Sequence, residues 1–152
     1  MFVIGIDPGK TGAICFLHYA RGHETTAMFS PISEMGILEE LGYGAGIAGI
    51  EIQVAMPRQK GAGLTMKNYG ILLGLLMAFR VSHTEIRSQD WYKFYGIRAG
   101  MEYKARKKET ARIMSELYPG SVKDFYGPKG GLLDGRTDAL AIAHYTKEVL
   151  VR

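Results

Sequence analysis

The chain is poor in cysteine and has no long apolar run. Cys15 is its single cysteine, which excludes an intrachain disulfide and favours a reducing compartment. The longest apolar stretch, Tyr69 to Phe79, is too short to cross a bilayer. No basic segment precedes the first apolar run and no cleavage site follows it, so we expect no signal peptide. These absences predict an intracellular protein with no membrane partner.

The excess of charge is also small. The 152 residues carry a formal net charge of +4. A chain of this length builds one well-buried core and is short for two, so residues 1–152 are predicted to form a single domain. A weak positive charge indicates an anionic partner only where the basic residues cluster. They cluster in the first turns of a predicted helix over 103–118, at Lys104, Arg106, Lys107, Lys108 and Arg112. Cations at a helix N-terminus oppose its dipole, which favours use of the charge over a merely solvated basic face.

The first notable acid is Asp7. Residues 2–6 form a short, mostly β-branched apolar run, typical of a buried strand, and Asp7 ends it. A carboxylate there is costly to desolvate unless a cation or a fixed donor meets it. Pro8 and Gly9 predict a turn, and residues 11–17 a second strand that returns beside the first. Taken alone, Asp7 is equally well explained as a turn residue.

A second strand also carries one acid. Residues 47–54 are apolar in a strand pattern that Glu51 interrupts. If this strand neighbours the first, Asp7 and Glu51 face each other, and two like charges about 4 Å apart repel by about 4 kcal/mol at an effective dielectric near 20. A bound cation would reverse the sign of that interaction. Between the two, we expect a third strand over 25–29 and a short helix over 33–41.

Two further acids open the last predicted helix, over 134–149. Asp134 and Asp138 are four residues apart, which places both carboxylates on one helix face. Asp134 alone is explained as an N-cap. Asp138 is followed by the apolar residues 139–142, which indicate a buried helix, so its carboxylate needs a partner.

An almost wholly apolar helix is predicted over 65–79. Gly70 and Gly74 lie one turn apart in it, and small residues at that spacing let another backbone approach closely. We expect a twofold partner at this helix and thus a homodimer. The alternative is that both glycines only fit the helix onto its own sheet. A strand over 81–87 and an aromatic, mostly core-packing segment over 89–95 follow.

Four carboxylates without a clustered histidine or cysteine select Mg²⁺ or Mn²⁺. Two such ions about 4 Å apart activate a water for attack on a phosphodiester and stabilise the departing 3′ oxygen. The sequence therefore predicts metal-dependent phosphodiester hydrolysis with two ions held by Asp7, Glu51, Asp134 and Asp138. Basic side chains would hold the polyanionic substrate. The candidate DNA contacts are Arg58, Lys60, Lys67, Lys104, Lys107 and Lys129.

These motifs resemble RuvC-like Holliday junction resolvases. The matching stretches are I-G-I-D-P-G at 4–9 with Thr11 and Gly12, then Ile50 and Glu51, then Asp134 and D-A-L-A-I-A at 138–143. The resemblance implies a ribonuclease H-like α/β fold, with a mixed five-stranded sheet and helices on both faces. It implies a homodimer, joined through the helix with Gly70 and Gly74, that nicks two strands of a four-way DNA junction with Mg²⁺ held by the four acids. It also implies that the protein is located in the cytoplasm or nucleoid of a host cell.

The family also places a lysine in its active site or on DNA near the start of the penultimate helix. The resemblance does not separate Lys107 from Lys108; we assign Lys108 to catalysis and Lys107 to DNA. The final acids are usually three apart in bacterial members, and phage and poxvirus relatives are closer to the spacing of four found here. Residues 56–63 lack the aromatic wedge of the bacterial loop, which puts strict junction specificity in question.

Three other functions compete. A nuclease of the same fold acting on flaps, branched DNA or RNA would need the same acids. A non-catalytic DNA-binding module would not need them, and four acids at strand and helix ends argue against it. An actin-like phosphotransferase needs two such domains and an adenosine pocket, for which the chain is too short.

Overall fold

A computed structural model describes residues 2–18, 26–31, 46–54 and 61–151. The strands in this part of the chain are β1 (Phe2–Asp7), β2 (Ala13–His18), β3 (Thr26–Pro31), β4 (Ile47–Glu51) and β5 (Ser82–Ile86). The α-helices are α1 (Ala62–Ala78), α2 (Ser88–Phe94), α3 (Tyr103–Leu117) and α4 (Asp134–Leu150), and a 3₁₀ helix, η1, spans Pro119–Phe125. None of the helices in the described residues is long and apolar enough to cross a membrane.

The strands form one mixed sheet in the order β3-β2-β1-β4-β5. β2 is antiparallel to β1 and β3, whereas β1, β4 and β5 run parallel. The mixed α/β fold predicted from the sequence is confirmed. Parallel strands end at the same edge of a sheet, so β1 and β4 bring their last residues, Asp7 and Glu51, to one edge.

Helices cover both faces of the sheet, because successive strand residues point to opposite faces. On β2, Cys15 and Leu17 pack in a core with α2, α3 and α4, whereas Ile14 and Phe16 pack in a second core with α1. Burying each large apolar side chain contributes about 1.5–3 kcal/mol. Cys15 is wholly buried and its burial raises the pKa of the thiol, which fits a structural role.

Close backbone contact holds α4 against the turn between β1 and β2. A Cβ at Gly5 would overlap the Ala139 carbonyl oxygen, and a Cβ at Gly135 would overlap the Thr11 carbonyl oxygen. Gly12 and Gly135 also form an isolated parallel bridge. Only glycine permits these approaches, and they bring the start of α4 beside the end of β1.

Most elements lie near their expected positions. The three long helices predicted over 65–79, 103–118 and 134–149 are found at 62–78, 103–117 and 134–150, and the strand predicted over 81–87 is at 82–86. The sequence also predicts a glycine- and lysine-bearing loop over 121–133, and this prediction is partly wrong because its first residues belong to η1. The helix expected over 33–41 lies outside the described residues.

Candidate active site

Asp7 is held by the turn that follows β1. Its Oδ1 accepts a hydrogen bond from the Gly9 N–H at 2.9 Å, and the Gly12 N–H donates to the Gly9 carbonyl oxygen at 3.0 Å. These are the contacts expected of Asp-Pro-Gly at a turn. The turn fixes the carboxylate at the sheet edge, beside the end of β4.

Glu51 leaves β4 at the same level as Asp7 leaves β1, because Ile6 and Ile50 are paired in the register of the two strands. The Ile52 N–H then donates to the Ile86 carbonyl oxygen at 2.9 Å, which continues the pairing with β5. Trp91, on α2, is close enough to Glu51 to lower the pKa of its carboxyl, against the larger effect of burial.

Asp134 and Asp138 project from the first turns of α4. The carbonyl oxygen of Asp134 accepts a hydrogen bond from the Thr137 hydroxyl at 2.9 Å, and its Oδ1 accepts the Gly135 N–H at 3.1 Å. The helix N-cap is Leu133, not Asp134. Asp138 is 1% exposed, and its Oδ1 has no hydrogen-bond partner among the described residues.

The four acids line one cleft of about 330 Å³. The charged residues around it are Asp7, Lys10, Glu51, Lys107, Asp134 and Asp138. The end of β1, the end of β4 and the start of α4 are far apart in sequence, and they bring the four predicted acids together.

Burial and mutual repulsion raise the pKa values of three of these carboxyl groups. Burial, reinforced by Asp7 and Asp138, raises the pKa of Glu51 to about 8. Burial raises the pKa of Asp138 to about 7 against the opposing effect of Lys107, and burial also raises the pKa of Asp7. Buried carboxylates that repel one another favour any cation that joins them.

Lys107 is the cation that the structure places there. Its ammonium pairs with Asp138 Oδ2 and lies 3.9 Å from Asp134 Oδ2. Burial opposes the charge on Lys107, but Asp138 outweighs it, so the pKa of the ammonium is raised. The ammonium also lies 5.1 Å from the centre of the Tyr103 ring.

Lys108, which we assigned to catalysis, is not in the cleft. It is exposed and lines a separate surface depression with Arg112 and Tyr126. Neighbouring helical residues point about 100° apart, so only one of the two lysines can reach the acids. The structure corrects the position: Lys107 lies in the cleft and Lys108 outside it.

The side chains fit a hard divalent cation in their chemistry. All four acids offer oxygen donors, which Mg²⁺ and Mn²⁺ prefer, and the buried Asp138 Oδ1 has no hydrogen-bond partner in the described part of the chain. Within the described ranges, no three Asp, Glu, His or Cys side chains converge on a common point as they stand. Lys107 bridges Asp134 and Asp138, and its ammonium is the group that an ion between those acids would displace.

Lys10 and Tyr103 are among the cleft residues that the sequence patterns did not identify. Lys10 follows Asp-Pro-Gly directly, so its position beside the first acid was the available signal. Tyr103 is the first residue of α3, and its hydroxyl donates to Asp134 Oδ2 at 3.2 Å. No sequence pattern links Tyr103 to Asp134, because the contact depends on how α3 packs against α4.

The other candidate DNA contacts are scattered. Lys67 on α1, Lys104 on α3 and Lys129 in the turn before α4 are exposed, and none of them lines the cleft. Arg58 and Lys60 lie outside the described residues.

The structure thus combines a cleft of four acids at the edge of a mixed sheet with helices on both faces of that sheet. No protein-family model matches the chain, and no curated protein does. The fold is similar to solved structures of RuvC from Thermus thermophilus. RuvC in complex with a Holliday junction substrate matches with a TM-score of 0.63 and 16% identity, over 98% of this chain and 97% of that one. A second RuvC structure matches with a TM-score of 0.57 and 16% identity, over 97% and 96%. The chain therefore has the RuvC fold over nearly its whole length.

Proposed function

We propose that this protein is a Mg²⁺-dependent endonuclease that resolves four-way DNA junctions by paired symmetric nicks. The observation that carries the proposal is the meeting of Asp7, Glu51, Asp134 and Asp138 in one cleft of a RuvC fold. The spacing of the last two acids supports a place near the phage and poxvirus branch of the resolvases.

Each cleft residue has a separate task in this proposal. Asp7, Glu51, Asp134 and Asp138 would hold two Mg²⁺ or Mn²⁺ ions, which supply an activated water and stabilise the departing 3′ oxygen. Tyr103 orients Asp134 through its hydroxyl. Lys107 neutralises Asp138 when the site is empty and is free to turn to a phosphate when it is filled. Lys10, at the mouth of the cleft, meets the incoming DNA backbone.

The substrate decides between the proposed function and its nearest rivals. The parent protein should nick a synthetic immobile four-way junction at symmetry-related positions with Mg²⁺ or Mn²⁺, and not with Ca²⁺. A three-way flap, a linear duplex and a structured RNA of matched length are incubated in parallel. Faster cleavage of the flap or the RNA would reassign the substrate, and binding of the junction without any nicking would favour the non-catalytic alternative.

The exposed face of α1 supports the proposed homodimer. A Cβ at Gly70 or Gly74 would meet no atom within 4 Å among the described residues. The absence of such contacts among the described residues argues against the alternative that these glycines fit the helix onto its own sheet. Met77 on the same helix is 65% exposed, and Leu64 is 47% exposed. An apolar helix face that its own sheet leaves uncovered is suited to a second copy of the chain.

Replacing both glycines tests this interface. Gly70→Gln/Gly74→Gln should convert a dimer into a monomer, because two longer side chains keep the partner helix at a distance. The fold should be retained, since glutamine favours a helix over glycine and a Cβ at either position meets no atom of the described residues. Light scattering after size exclusion gives the mass, and circular dichroism monitors the fold.

Gly100→Gln is the matched control, because Gly100 is exposed and a Cβ there also has no described atom within 4 Å. A double variant that remains dimeric would place the interface elsewhere, and a monomeric parent would refute the dimer altogether.

The perturbed acids predict a pH-dependent stability without metal. The folded pKa values of Glu51 and Asp138, about 8 and about 7, exceed the ordinary 4.5 and 3.8. Between those values the folded state holds more protons than the unfolded state, so stability falls as pH rises. In EDTA we expect Tm to drop by roughly 5 °C between pH 6 and pH 9.

Mg²⁺ should reverse that drop, because a cation favours the ionised carboxylates. Glu51→Gln should flatten the profile in EDTA, since one of the two groups no longer titrates. Differential scanning calorimetry at four pH values measures both effects. A parent profile that rises with pH in EDTA would contradict the assigned direction.

A further inference from the structure

A second cavity, separate from the acidic cleft, lies between α2, the loop after it and α3. Its volume is about 530 Å³, within the range of about 300–1,000 Å³ that is typical of ligand sites. Its wall combines polar and cationic side chains with an apolar part at Ile97 and Ala99. The residues that matter are Ser88, Gln89, Tyr92, Lys93 and Arg106.

Arg106 is the unusual group in this wall. Its Nε is buried and has no hydrogen-bond partner among the described residues, and its guanidinium carbon lies 5.3 Å from the centre of the Tyr92 ring. A buried donor without an acceptor is costly, and a guanidinium stacked on an aromatic face is a frequent anion-binding arrangement. A ligand with an anionic oxygen would satisfy it.

Lys93 adds a second cation at the mouth of the cavity. It is exposed, and within the described part of the chain it forms no ion pair of 4.0 Å or less. The nearby carboxylate of Asp90 is engaged by Arg87 at 3.1 Å. The cavity therefore combines two cations that form no ion pair within the described residues with an apolar wall at Ile97 and Ala99. This combination matches a nucleotide, with its phosphate on the cations and its base on the apolar wall.

Tyr92 lines this cavity and lies near the acidic cleft, although it is not part of the cleft wall. Burial raises the pKa of Tyr92 to about 12, and the charges of Asp138, Lys107 and Glu51 are close enough to influence that pKa. Arg106 and Lys107 are consecutive on α3, so one helix turn presents a cation to each site. A strand lying in the cleft would therefore continue toward the cavity.

We propose that this cavity receives a nucleotide of the bound DNA strand next to the scissile phosphate, with its phosphate on Arg106 and Lys93 and its base against the apolar wall at Ile97 and Ala99. The assignment rests on the proposed function, whose cleft the same strand would occupy. It adds a positioning site that contributes to binding and to the choice of cleavage position.

The first experiment needs neither metal nor junction cleavage. Trp91 is the only tryptophan of the chain, and its ring centre lies 3.9 Å from that of Tyr92, so its fluorescence reports on the cavity. Thymidine 3′,5′-bisphosphate is titrated into the full chain in EDTA. Binding should weaken about tenfold in Arg106→Gln, by a smaller factor in Lys93→Gln, and not at all in Arg98→Gln.

Arg98 is the control because it is exposed, carries the same charge and lies outside the cavity wall. Lys93→Gln changes only an exposed side chain, so it tests the site even if Arg106→Gln folds poorly. Bisphosphate that does not bind, or that binds all four proteins equally, overturns the proposal whether or not the protein cuts junctions.

The second experiment distinguishes a nucleotide in the strand from a free one. Neutral methylphosphonates are placed one at a time at the phosphates flanking the cut in a junction, and binding is measured in the Asp7→Asn background with and without Arg106→Gln. One position should weaken binding about tenfold with Arg106 present and have no effect in the double variant. Additive losses at every position would assign the cavity to free nucleotides and overturn the strand assignment.

Discussion

Asp7→Asn is expected to lower the rate of junction nicking by roughly 10³-fold or more while leaving junction binding unchanged or tighter. A bound cation typically stabilises the transition state by several kcal/mol, and a loss of about 4 kcal/mol corresponds to that factor. Binding should persist, because removing a carboxylate beside the DNA phosphates reduces repulsion. Single-turnover cleavage and gel-shift titration on the same junction measure the two effects separately.

The asparagine variant is chosen because it preserves the turn. Asp7 Oδ1 accepts the Gly9 N–H, and the amide oxygen of asparagine can accept the same hydrogen bond. Glu102→Gln is the matched control, since Glu102 is exposed at the start of α3 and its side chain does not cap the helix. If Asp7→Asn nicks as fast as the parent, Asp7 is not part of a catalytic site.

The meeting of Asp7 and Glu51 could be foreseen, because it follows from strand geometry. Each acid ends a short apolar run, and parallel neighbours end at one edge of a sheet. That β1 and β4 are in fact neighbours could not be derived from their patterns alone, since strand order depends on long-range packing. Gly5 of β1 lies directly against α4, and Gly135 of α4 lies directly against the turn between β1 and β2. These two contacts bring Asp134 and Asp138 beside Asp7 and Glu51.

Helix periodicity in the sequence favours Lys107 over Lys108 for the position beside the acids, and the assignment of Lys108 to catalysis overlooks it. The buried stripe of α3 contains Thr110, Ala111 and Met114. Residues three, four and seven positions apart share a helix face, and counting back from these positions reaches Lys107. Lys108 belongs to the neighbouring exposed stripe with Arg112.

The second cavity had no sequence signal at all. The segment over 89–95 was interpreted as core packing, and Trp91 is indeed fully buried. Its neighbours Tyr92 and Lys93 instead line the cavity with Arg106, which is distant in sequence. A pocket between two helices depends on their separation, and periodicity does not encode that distance.

Lys107→Met is expected to destabilise the metal-free protein by about 3 kcal/mol at pH 8, a fall in Tm of roughly 8 °C. The lysine side chain is 14% exposed and that of Asp138 is 2% exposed, so removing the ammonium leaves a buried carboxylate without compensation. Mg²⁺ should restore the loss and bind Lys107→Met at least as tightly as the parent, because no ammonium has to be displaced. Calorimetry with and without Mg²⁺ measures both effects, and Lys108→Met should stay within about 0.5 kcal/mol of the parent. If Lys107→Met leaves the stability unchanged and Lys108→Met lowers it, α3 presents its other face to the acids. The position of Lys107 in the cleft would then be wrong.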